Sequence, residues 1–275
     1  MKALLIGAFI ISTSACNPNA PSDTQRLDIP KRPGQLIDPN SLFVRTWPGK
    51  PALVKLKDNL VLSIPPQHHQ FWTQRDWLTG RDLANRPPMT AQELPYSKSA
   101  GFHMQMPDFS GFTYENYLKE FDEDTVLVWE ISPASMDAVK PGATGSYPPN
   151  VFNRIMTKPS QRFDLEKYEE KFGLRCFKEL QDPDNRYTCW GARGSDLDEM
   201  ILLRVSMPPH PDWMSNPSMQ TLYFSPKYGG LEVGWRAHVK HLPRWREIDA
   251  QIWKYIDQWN IAAQRSDATQ TAPQK

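Results

Sequence analysis

The sequence predicts an α+β fold: an antiparallel, sheet-rich domain with a few helices, the last of them a C-terminal amphipathic helix packed on the sheet. Three observations carry this. Short runs of strand-forming residues bounded by turn residues recur through the middle of the chain. From Leu231 to Val239 the residues alternate cleanly: Leu231, Val233, Trp235, Ala237 and Val239 fall on one side, and Glu232, Arg236, His238 and then Lys240 on the other. That is the pattern of a strand with one buried and one wet face. From about Pro243 to Ile261, Trp245, Ile248, Ile252, Tyr255, Ile256 and Trp259 form an apolar stripe at helical spacing, with Pro243 suited to the first turn.

The start of the chain reads as a processing signal. Lys2 precedes the apolar run Ala3 to Ile11, which is too short to span a bilayer. Small residues at 12–15 lead to Cys16. The pattern resembles a bacterial lipoprotein signal, with Thr13 standing where an aliphatic residue is usual. Residues 1–15 are expected to be the signal peptide and Cys16 the lipidated N-terminus; the alternative is an ordinary cleaved signal whose next residue is Cys. Asn17, rather than Asp, after the cysteine points to the outer membrane by the same resemblance. Residues 16–41, with prolines at 18, 21, 30, 33 and 39, read as an extended tether. Residues 42–262 are expected to form one periplasmic domain, or two subdomains, and residues 263–275 a disordered tail.

Within the domain, Pro51 to Leu56 and Leu60 to Ile64 flank Lys57-Asp58-Asn59 as a hairpin, stopped by Pro65 and Pro66. Thr125 to Ile131 and Met200 to Val205 are short strand-forming runs. Met219 to Phe224 and Leu231 to Val239 form a second hairpin around SPKYGG. Thr113 can cap a helix bearing Tyr114, Tyr117, Leu118 and Phe121, and Asp164 can cap another bearing Leu165 and Tyr168.

The chain has three cysteines. With Cys16 carrying lipid, Cys176 and Cys189 remain as an even pair in an oxidising compartment. LRCFKEL and RYTCWGA, separated by the turn residues Asp182, Pro183, Asp184 and Asn185, look like two arms of a hairpin bridged by a disulfide. A Cys189 nucleophile served by His210 or His238 is the alternative.

A net charge of +1 with no long run of either sign gives no nucleic-acid footprint. No nucleophile elbow, HExxH, P-loop or paired CxxC occurs. The pairs His68/His69 and His238/His241 could serve a zinc site, but no ligand-spaced carboxylates accompany them, so no metal and no cofactor is expected. Glu130 and Glu232 on two strands could serve a glycosidase; solvated strand charges are the simpler reading. No catalytic residue is assigned. The stretch Met207 to Met219, with four prolines around Trp213, cannot pair regularly. His210, Asp212, Trp213 and Met214 are therefore candidate partner-binding residues, with Tyr147 of the similar stretch Val139 to Asn153 beside them. These aromatics could equally tuck under their own loops.

The order of segments carries a resemblance. A lipoprotein signal and Pro-rich tether precede SIPPQHHQFW, MPDFSGFTYENY, LVWEI, the cysteine hairpin, GGLEVGWR and a Trp-rich final helix. Together they resemble immunity lipoproteins that protect bacteria from type VI secretion phospholipase effectors. The resemblance implies a periplasmic, membrane-tethered binder whose partner is a toxic lipase, and no enzyme activity of its own. An envelope hydrolase and a structural or assembly lipoprotein of an envelope machine are the competing readings.

Overall fold

The strand that alternates most cleanly in sequence lies inside the sheet, with neighbours on both sides. In the computed structural model, residues 51–68, 94–113, 123–157, 163–180, 185–194, 199–207 and 217–262 are described. In chain order the strands are β1 (Ala52–Lys57), β2 (Leu60–Ile64), β3 (Ala100–Gln105), β4 (Thr125–Pro133), β5 (Phe163–Lys171), β6 (Leu174–Glu179), β7 (Arg186–Ala192), β8 (Met200–Ser206), β9 (Ser218–Ser225) and β10 (Leu231–His238). The helices are α1 (Pro148–Thr157) and α2 (Trp245–Trp259). Strands β1 and β2 form a separate hairpin. The other eight form one sheet in the order β3-β4-β10-β9-β8-β7-β6-β5, antiparallel throughout. The α+β class follows as the sequence predicts.

The inner face of the sheet carries Phe102, Met104, Val126, Val128, Ile131, Ile201, Leu203, Val205, Met219, Val233 and Trp235, all buried. Against it α2 lays Trp245, Ile248, Ile252, Ile256 and Trp259, in the same core cluster. Burying each large apolar side chain contributes about 1.5–3 kcal/mol, so this layer dominates the stability. The β1–β2 hairpin closes over the end of α2 with Leu56, Leu60, Leu62 and Ile64. Buried Asn260, just past the helix, joins the two: its Oδ1 accepts from the Val61 N–H at 3.1 Å and its Nδ2 donates to the Asn59 carbonyl at 2.9 Å. The start of α2 is fixed at the opposite edge, where the Trp245 indole donates to the Phe172 carbonyl at 3.0 Å.

Three expectations change. The helix expected after Asp164 is instead strand β5. The Asp164 carboxylate does accept from a nearby backbone N–H, that of Glu166, at 3.2 Å, but the chain continues extended. The deciding feature lies downstream: Phe172 and Gly173 both adopt positive φ, 54° and 72°. That geometry suits a two-residue hairpin turn and returns the chain onto β6. The charges of β5 then sit on the sheet edge, where they discourage pairing with another chain. Second, the Val139 to Asn153 stretch is not wholly irregular. Helix α1 starts in it, with Pro148 in the first turn, where a missing N–H leaves no bond unmade. Third, Pro243 belongs to a 3-10 segment, Val239–Arg244, and the α-helix begins at Trp245. The helix expected from Thr113 falls on residues 114–122, outside the described residues, as do Cys16, the tether and the tail.

Candidate functional site

Helix α2 places a carboxylate in the core. Asp249 sits one position beyond Ile248, four after Trp245 and four before Trp253, so the helical period turns it toward the sheet. It is 2 % exposed. Its Oδ1 accepts from the Tyr223 hydroxyl at 2.7 Å and from the Trp235 indole N–H at 3.1 Å. Its Oδ2 accepts from Arg193 Nη1 at 3.4 Å. The Tyr223 oxygen in turn accepts from the Trp253 indole at 2.8 Å, and the Arg193 guanidinium lies 4.4 Å from the Tyr223 ring centroid. Burial pushes the Asp249 carboxyl above its ordinary range, while Arg193, Tyr223 and Trp235 pull it back. Burial, with the neighbouring carboxylate, drives the Tyr223 phenol far up, so it stays a donor. The network floors a groove of about 1060 Å³ between α2 and the β7–β8 and β9–β10 turns. Two of the cations at its rim are engaged within the chain. Lys227 pairs with Asp257 at 3.3 Å, and Arg246 donates to the carbonyls of Ala192, Phe172 and Gly173. The arrangement fastens the helix to the sheet through hydrogen bonds that use both carboxylate oxygens.

A second polar cluster lies at the other end of the strands. Lys240 reaches Asp124 at 3.0 Å and Glu123 at 3.2 Å. His241 Nε2 bonds the Asp124 carboxylate at 3.1 Å and the Glu123 carbonyl at 3.0 Å. His238 Nδ1 accepts from the Lys240 N–H at 3.2 Å, and burial holds His238 below its ordinary pKa. The connection between β8 and β9 leaves and returns at this end: the Val239 N–H donates to the Pro217 carbonyl at 3.3 Å.

The outer face of the sheet divides into two strips. Over one, α1 and the segment before it pack Phe152 edge-on to Trp190 and Tyr147 edge-on to Phe224. Ser146 donates to Glu232 at 2.5 Å and Arg154 to the Ala143 and Gly145 carbonyls. The other strip, which no described element covers, carries Trp129 and Leu222, each 39 % exposed.

Against this geometry the sequence-predicted residues fall as follows. Cys176 and Cys189 are directly opposed on β6 and β7 and joined as a disulfide. The alternative of a free Cys189 nucleophile is thereby overturned, because its sulfur is already bonded. His210, Asp212, Trp213 and Met214 lie outside the described residues, and so does His69. Tyr147 is buried at 8 % exposure, under its own loop rather than offered to a partner. His68 is a core histidine, bonded through Nδ1 to the His103 carbonyl at 2.7 Å and packed on Tyr255 and Trp259. Among the described residues no group of His, Cys, Asp and Glu could hold a metal. No described helix is long and apolar enough to cross a membrane.

Comparison with known proteins adds one similarity. No family model matches the chain, and no curated protein matches it. Among solved structures it is similar to Smlt3025, an immunity protein of the Stenotrophomonas maltophilia type IV secretion system. The TM-score is 0.47 at 10% identity, over 76% of this chain and 93% of that one.

Sequence reasoning missed the Asp249 network and the Trp129 strip. The first had a signal, an Asp inside an otherwise apolar helical stripe. The second had none, since in the apolar run LVWEI Trp129 looks like any other core residue.

Proposed function

We propose that this chain is a periplasmic immunity lipoprotein that binds and neutralises a type VI secretion phospholipase effector. One observation carries the reading most. The buried or clustered titratable side chains Asp249, Tyr223, His68 and His241 are engaged in bonds within the chain, while an aromatic and apolar strip of the sheet is covered by no described element. That layout suits a rigid binder more than a catalyst. The order of sequence segments that resembles such lipoproteins supports the same reading. A lipid anchor at Cys16 on the outer membrane concentrates the inhibitor where a lipase meets its substrate, raising its effective concentration without new contacts.

Two experiments test this. Mixing the purified mature protein with purified type VI phospholipase effectors should abolish phospholipid hydrolysis by one of them in a stoichiometric complex; full activity of each in the presence of excess protein overturns the reading. Within that complex, Trp213→Ala should weaken binding by about 2 kcal/mol or more while thermal unfolding changes little. A large drop in melting temperature instead would place Trp213 in the core. The anchor is tested separately. Cys16→Ser should release the domain to the soluble periplasm, and intact-mass analysis of membrane-derived protein should show acyl mass on Cys16. Its absence removes the lipoprotein assignment.

A further inference from the structure

The strip of the sheet that no described element covers has a composition that its position does not explain. Between β4 and β10 the pairing jumps from Val128–Trp235 to Glu130–Gly234, so Trp129 occupies a bulge, a device that re-aims a side chain. Its indole lies against Gly234: a Cβ added there would sit 2.6 Å from the ring. Leu222 is the partner of Gly234 on the other side. The apolar row of Leu222 and Trp129 is therefore continuous across β9, β10 and β4, and both residues are well exposed. Two residues away along the strands runs a second row in register, Arg204 on β8, Gln220 on β9 and Arg236 on β10, all exposed. At ordinary strand spacing the two arginine Cα atoms are about 10 Å apart. Among the described residues neither arginine has a carboxylate partner or other polar bond. The nearest acids on the adjoining strands are differently placed: Glu232 is held by Ser146, and half-buried Glu130 follows Trp129 on the side away from the arginine row.

We propose that Trp129, Leu222, Arg204 and Arg236 form the docking surface for the protein partner, with the apolar row meeting an apolar centre and the arginines meeting carboxylates on the partner's rim. The inference rests on the reading of this chain as a protein-binding inhibitor and names the surface that does it. Charge complementarity sets the partner's chemistry: two guanidiniums without an acidic partner among the described residues call for an acidic surface, and arginine binds carboxylates bidentately. Trp and Arg are the residue types that dominate binding at the centres of interfaces. Two cations and one indole on a flat sheet are too few to hold an anionic membrane.

The test uses the full mature protein and, as probe, a purified type VI phospholipase effector. Arg204→Glu/Arg236→Glu should weaken the complex at least 100-fold by calorimetry, and Trp129→Ala at least 10-fold. Wild-type affinity should fall as salt rises. Gly234→Val, which displaces the indole without removing it, should act like Trp129→Ala. Lys254→Glu, on the groove side of α2, should bind as wild type, and circular dichroism should show every variant folded. Wild-type binding with unchanged affinity in the arginine and tryptophan variants overturns the surface while leaving the inhibitor reading standing. A wild type that neither binds nor inhibits the lipase overturns both. Loss of binding to phosphatidylglycerol vesicles in the same variants, with lipase binding intact, makes the strip a membrane contact and overturns the proposal.

Discussion

Asp249→Ala is expected to lower the unfolding free energy by about 3–5 kcal/mol, the largest effect of any single polar substitution in the described core. The variant leaves three donors without their carboxylate acceptor: the Tyr223 hydroxyl, the Trp235 indole N–H and one arm of Arg193. Asp249→Asn keeps an oxygen for Tyr223 and Trp235 but turns an amide toward Arg193, and should cost less. The difference between wild type and Asp249→Asn also depends on pH. Because the folded carboxyl lies above its ordinary value of 3.8, the native state takes up this proton before the unfolded state does. The group's contribution is then fully present below that value and is lost as pH rises through the raised one. Wild type should therefore gain on the variant as pH falls through this window. Urea titrations at several pH values measure both effects. An unchanged midpoint for Asp249→Ala would mean that the helix is held by apolar packing alone.

Removing the disulfide is expected to cost about 3 kcal/mol, the chain-entropy value for a loop of this size. Cys176 and Cys189 are 13 residues apart, directly opposed and both buried. They lie on β6 and β7, close to the end of the sheet, where only β5 lies beyond β6. Cys176→Ala/Cys189→Ala should shift the urea midpoint down. In the oxidised wild type neither thiol should react with an alkylating agent under denaturing, non-reducing conditions. A double variant as stable as wild type would show that pairing with β5 and β8 already fixes this hairpin.

The sequence alone determined the strands whose side chains alternate or run apolar: β1, β2, β4, β8, β9 and β10 were legible. The cysteine hairpin was too, because turn residues and an even cysteine pair agree. The last helix was legible from a stripe of Ile and Trp, since a 3.6-residue period in large apolar residues admits no strand reading. Local pattern failed where the deciding contact was remote. FDLEKYEEK has a good capping residue and a helix-compatible composition, yet it is a strand because the Phe172-Gly173 turn folds it back onto β6. Strand β3 passed unseen because AGFHMQ has no alternation of polar and apolar residues; both its faces are covered. The same limit applies to the sites. Sequence placed an interface anchor at Tyr147, but an aromatic side chain looks the same under its loop or above it, and only packing against Phe224 decided. Asp249 reads as one more helical acid until Tyr223, Trp235 and Arg193 arrive from three separate strands or turns. Trp129, Leu222, Arg204 and Arg236 are dispersed over more than a hundred residues of chain; sheet register alone brings them onto one face, and register is set by pairing between strands, which no local stretch of sequence contains.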